Sequence, residues 1–140
     1  MAELRHQISI NAPLERVYAA VATQKGLRNW WTADATVDER VGGNFVLGFH
    51  NRRTVFLMTV VELALERIVW TCQGEPEDWA GTALTWILTP TGRGTAVRFV
   101  HASWKHENEM FAICNTSWGA LMHRLKAYCE GNDPGPLWPE

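Results

Sequence analysis

At 140 residues, with 46% hydrophobic and 20% charged side chains, the chain has the size and balance of one soluble globular domain with a substantial core. The net charge of −2 and the scattering of its ten Arg and three Lys exclude a phosphate-tracking surface, so nucleic acid is not an expected partner. No run approaches the roughly 20 apolar residues of a membrane span, the N-terminus lacks a signal-peptide pattern, and three cysteines without paired spacing suggest neither a disulfide framework nor zinc. The cytoplasm is therefore the expected location.

Along the chain, Leu4, His6, Ile8 and Ile10 alternate with polar residues and predict a first strand with one buried face. Asn11-Ala12-Pro13 ends it, with Asn11 a capping candidate and Pro13 suited to a first helical turn. Leu14, Val17, Tyr18 and Val21 then recur at helical spacing, giving a short helix to about Ala22. A second short helix opens at Thr23 or Gln24 and runs into Trp30-Trp31. Of these two indoles, one is expected to pack inward and the other to gate a cavity mouth.

From Ala35 the pattern becomes strands: Ala35–Arg40, Phe45–His50, Thr54–Leu65, Ile68–Gln73, Thr82–Thr89 and Thr95–Ser103. Gly42-Gly43 and Gly92–Gly94 mark turns, 74–78 reads as a loop, and Thr54–Leu65 is long enough to bend or carry a bulge. One long helix closes the chain, from about Glu107 to Glu130, with Phe111, Cys114, Trp118, Leu121, Met122, Leu125 and Tyr128 as its apolar stripe. Gly131 follows as the C-terminal stop, and the proline-containing tail 132–140 is expected to fray or lie along the surface. The reading is thus one domain, 1–131, followed by a tail. It is of α+β class: a strongly curved, seven-stranded antiparallel sheet wrapped around a long C-terminal helix, with two short helices after the first strand.

Several segments in this order resemble the helix-grip superfamily, also called START-like, Bet v 1-like or SRPBCC. Within it the chain is similar to single-domain relatives of the C-terminal domain of the activator of Hsp90 ATPase (AHSA1-like). The residues that carry the resemblance are Ile8–Tyr18, Leu27 with Trp30-Trp31, Val41–Phe45, Gly94-Thr95 with His101, and Trp118, Leu121, Leu125 and Tyr128–Gly131. The resemblance implies the fold more firmly than an activity, because such proteins include ligand carriers, polyketide cyclases or aromatases, and chaperone activators. The complete Hsp90 activator has a separate N-terminal domain, whereas this sequence opens at the first strand of the C-terminal one. Direct chaperone contact is therefore a weaker expectation, and a homodimer is left open.

Eight Trp outnumber the Phe and Tyr together, and large flat rings suit an apolar ligand cavity. Trp70, Trp86, Phe99, His101, Phe111, Cys114 and Trp118 are the expected lining of a cavity between sheet and final helix, holding a small hydrophobic or aromatic molecule. His101 shares a strand face with Val97, Phe99 and Ser103 and has the chemistry to orient a ligand or, in a cyclase-like enzyme, to polarise a carbonyl. The bland alternatives are a hydrogen-bonded core histidine and rings that fill the interior. No carboxylate partner lies near His101 in sequence, so no catalytic residue is assigned and binding is favoured over catalysis. His106–Glu109 lacks the paired histidines of a metal helix and suits a helix N-terminus; no metal or cofactor is expected. Cys114, like Cys72 and Cys129, reads as an inert core thiol.

Overall fold

The computed structural model describes residues 2–74 and 76–140. Strand β1 (Ala2–Ile10) is followed by helices α1 (Leu14–Ala22) and α2 (Gln24–Trp30). Six strands come next: β2 (Asp34–Val37), β3 (Asn44–Phe49), β4 (Thr54–Ala64), β5 (Arg67–Gln73), β6 (Ala83–Thr91) and β7 (Gly94–Trp104). Helix α3 (Glu109–Cys129) closes the fold. All seven strands form one antiparallel sheet in the order β1-β7-β6-β5-β4-β3-β2. This is the helix-grip architecture expected from the sequence.

Period-two alternation builds the inner face. Leu4, His101, Leu84, Trp70 and Val60 stand in register across five strands, and every one of them is buried. A neighbouring row, Cys72, Met58 and Phe45, continues it toward β3. Against this face α3 lays Cys114, Trp118, Leu121, Met122, Leu125 and Cys129. Arg5 and Arg98 point from the outer face into solvent, as the alternation predicts.

Three local readings need correction. Asn11 does not cap α1; its main-chain N–H donates to Glu130 Oε2 at 2.8 Å, tying the first strand–helix joint to the end of α3. Strand β2 stops at Val37 because the next residues fold on themselves, with Arg40 N–H on the Asp38 carbonyl and Gly43 N–H on that of Arg40. The long helix begins at Glu109, where the Asn108 side chain accepts the Phe111 N–H at 3.1 Å. The bulge expected in the long strand is present: register shifts between Val60 and Glu62, which turns Val61 out to solvent. Gly131 follows the C-cap with φ +94°, the left-handed conformation that suits glycine.

The two short helices meet at a glycine. A Cβ on Gly26 would stand 2.3 Å from the Ala20 carbonyl oxygen, which itself accepts the Trp30 indole N–H at 2.8 Å. Backbone cannot retreat there without breaking that bond. Gly26→Ala is therefore expected to cost about 3 kcal/mol by overpacking, read as a lower urea midpoint with unchanged slope.

Candidate functional site

The middle of the grip is solid. Trp30, Trp31, Trp70, Trp79, Trp86, Trp104 and Trp118 are all buried, leaving Trp138 in the tail as the one partly exposed indole. Trp118 is the hub: its ring centroid lies 4.2 Å from Phe99, 5.1 Å from Trp31 and about 6 Å from each of Trp79, Trp86 and His101. Trp70 completes this cluster, edge-on to Trp86 and stacked on Trp31. Offset and edge-to-face pairs of this kind add to the gain from burial.

His101 sits inside that cluster and is fully buried. An indole N–H can only donate, so the 3.2 Å bond from Trp118 Nε1 requires Nδ1 of His101 to be the acceptor. The proton then rests on Nε2, which donates to Thr82 Oγ1 at 2.9 Å, and Thr82 Oγ1–H passes on to the Trp79 carbonyl at 2.6 Å. The Trp79 indole N–H in turn points at Cys114 Sγ, 3.4 Å away. This relay fixes one neutral tautomer and leaves neither ring nitrogen free. Burial lowers the His101 pKa to about 3. The ring is a structural tie between β7, the segment before β6, and α3.

The strand alternation fails just beyond it. Ser103 adopts φ +69°, so Ser103 does not continue the inward face; Trp104 turns in instead and packs 4.7 Å from the His101 ring. Phe111 meets Trp104 edge-on at 5.3 Å.

Space remains at one end of the grip, beside the first turns of α3. An apolar recess of about 160 Å³ opens between α3 and the β3–β4 hairpin. Its deep wall is aromatic: Trp31, Phe49, Phe56, Trp79 and Trp118. Helix α3 contributes Cys114 and Leu121 within, with Met110 and Ile113 at an exposed lip, and Trp138 of the tail closes the far side. The polar lining is sparse, consisting of the hydroxyls of Thr54 and Ser117 and the exposed imidazole of His50.

Of the seven side chains expected to line a cavity, Cys114 and Trp118 face this recess. Trp70, Trp86, Phe99 and His101 lie deeper, packed against one another, and Phe111 lies to the side against Trp104. Both Trp30 and Trp31 pack inward, and neither serves as an exposed gate. Phe49 and Phe56 were not singled out from the sequence, although period-two alternation with Phe45 and Leu47 on β3 and with Met58 and Val60 on β4 marks them as inward positions. Trp79 and Trp138 carry no such mark, because they come from a loop and a tail without periodicity. Burial raises the thiols of Cys72 to about 11 and of Cys129 to about 12, and raises that of Cys114 as well, so all three are poor nucleophiles. The indole N–H groups of Trp86 and Trp104 are buried without an acceptor, but neither ring lines the recess. Among the described residues no three His, Cys, Asp or Glu side chains are grouped to hold a metal, and no helix is long and apolar enough to cross a membrane.

The grip architecture, the aromatic interior and the recess beside α3 together define a helix-grip domain of the SRPBCC type. Residues 11–130 match the family model of Activator of Hsp90 ATPase homolog 1-like proteins, and the chain belongs to that family. It is similar to the Aha1 dimer from Colwellia psychrerythraea, known from a solution structure, with 31% identity, a TM-score of 0.85, and coverage of 94% of this chain and 98% of that one. It also resembles protein CV1439 from Chromobacterium violaceum, at 24% identity and TM-score 0.79 over 94% and 100% of the two chains. CalU16 from Micromonospora echinospora shares the fold at 21% identity and TM-score 0.72, over 96% and 76%. No curated protein matches the sequence.

Proposed function

We propose that this protein binds a small, flat, apolar or aromatic molecule in the recess beside the first turns of α3. One observation carries the reading: in a core otherwise filled by interlocked rings, about 160 Å³ is left open against six Trp and Phe side chains. A dry apolar cavity of about 150 Å³ accommodates a benzene-sized molecule, so the fit is to one ring or two fused rings, not to a drug-sized ligand. Thr54 and Ser117 offer hydroxyls to orient a single polar substituent. The geometry around His101 supports binding over turnover, since its imidazole is spent on Trp118 and Thr82.

Burying about 200 Å² of ligand surface gains at most ~5 kcal/mol, which corresponds to a Kd on the order of 0.2 mM. Titration with benzene, indole and naphthalene, followed by intrinsic fluorescence and by ligand-detected NMR, is expected to saturate in that range. Ser117→Trp places an indole into the recess and is expected to abolish binding without lowering the Tm. Absence of saturable binding by all three compounds would remove the proposal.

A further inference from the structure

We infer that the C-terminal tail is a latch across this recess, with Trp138 as its bolt; the inference rests on the ligand-binding reading above. The tail does not fray. Trp138 N–H donates to the Trp31 carbonyl at 3.1 Å and the Trp138 carbonyl accepts the Ala33 N–H at 3.0 Å, a parallel bridge that extends the chain beside Thr32. The Trp138 ring stands edge-on against Phe49 with centroids 5.0 Å apart, so one side chain is both a wall of the recess and the fastening of the tail.

The fastening is local. Upstream, Arg124 of α3 donates to the carbonyls of Pro134 and Gly135 at 2.9 and 2.7 Å, which holds the tail's root whatever happens beyond it. Beyond Gly135, where φ is +71°, the tail is secured by the two bridge hydrogen bonds, the packing of Leu137 and Trp138, and an exposed bond from Asn51 Nδ2 to Glu140. A few bonds and one half-buried ring open at far lower free energy than a seven-stranded sheet.

The opposite jamb supports the same reading. His50, Asn51 and Arg52, which join β3 to β4, all adopt left-handed φ of 53°, 56° and 64°. Three successive non-glycine residues in that region hold the turn in a strained conformation, and the turn is bonded to the tail through Asn51 and Glu140. On its other side the tail borders a shallow polar depression with Asp34, Asn51 and Arg52, so the tail is the partition between that depression and the apolar recess. Lifting it widens the mouth and lengthens the molecule the site accepts.

Cys114 provides a readout that needs no ligand, because its thiol lies inside the recess while Cys72 and Cys129 are buried elsewhere. The full chain, a chain ending at Gly135, and Trp138→Ala are treated with methyl methanethiosulfonate, and modification of each cysteine is followed by peptide mass spectrometry. Cys114 is expected to react at least tenfold faster in the shortened chain and several-fold faster in Trp138→Ala, with Trp138→Phe close to the parent and Cys72 and Cys129 unchanged. Equal Cys114 rates in all four proteins, or a parallel rise at all three cysteines, would overturn the latch. Naphthalene association measured on the same proteins separates the two ideas. Unchanged Cys114 rates with normal naphthalene binding sink the latch alone, while a latch-dependent Cys114 rate with no binding of benzene, indole or naphthalene sinks the ligand reading alone.

Discussion

Trp118→Ala is expected to be the most damaging single substitution in the chain, lowering stability by about 4–5 kcal/mol. It removes the ring against which Trp31, Phe99, Trp79 and Trp86 are packed and opens a void in the middle of the grip. It also takes away the indole donor to His101 Nδ1, leaving a buried acceptor unsatisfied at a further cost of about 1–3 kcal/mol if no water enters. A collapse of this size would leave a marginal domain largely unfolded at 37 °C. Trp118→Phe separates the two effects, since it keeps most of the ring and removes the N–H. With Nδ1 no longer accepting a hydrogen bond from the indole N–H, the lone pair is freed to take a proton and the His101 pKa is expected to rise from about 3. The NMR titration of the imidazole carbons is the measurement; an unaltered pKa in Trp118→Phe would contradict the relay.

The second large effect is on acid stability. His101 titrates near 3 in the folded chain, against 6.5 for an ordinary histidine. Between those values the unfolded chain takes up a proton that the folded chain refuses, so acidification favours unfolding. The contribution of neutral His101 is complete above pH 6.5 and declines below it by up to ~1.4 kcal/mol per pH unit. By pH 4.5 the expected loss is about 2.5 kcal/mol, and the decline from this group ends once the native imidazole itself protonates near pH 3. Carboxylates titrate in the lower part of that window, so the comparison is made against His101→Gln, which keeps a donor and an acceptor at the site but has no proton to gain. Urea unfolding at pH 7.0, 5.5 and 4.5 should show the parent losing stability faster than the variant. Parallel curves would mean that burial does not hold the His101 pKa down in the folded chain.

Much of the architecture was legible because two short-range signals and one long-range one agree. Period-two alternation placed Trp70, Trp86, Phe99 and His101 on one face; the three- and four-residue stripe placed Cys114 and Trp118 opposite them; and the segments from Ile8 to Gly131 carried the family resemblance. What alternation cannot report is depth. A residue that points inward either fills the core or borders a void, and the difference depends on neighbours supplied by other segments. Here those neighbours are Trp79, from a loop that donates to Cys114, and Trp138, from a tail that pairs with Thr32. The partners of His101 were hidden for the same reason, because Thr82 lies 19 residues away just before β6 and Trp118 lies 17 residues away on α3. Ser103 illustrates a smaller failure, where one left-handed residue ended the alternation that the side-chain pattern alone would have continued.

The division of labour among these segments has a consequence for how such a scaffold diversifies. Sheet and helix carry the interlocked indoles, while several walls of the recess come from the β3–β4 turn, the loop before β6 and the tail. Surface connections tolerate exchange far better than close-packed interiors. Selection can therefore recut the shape of this opening through peripheral segments alone, leaving the folding determinants inherited intact.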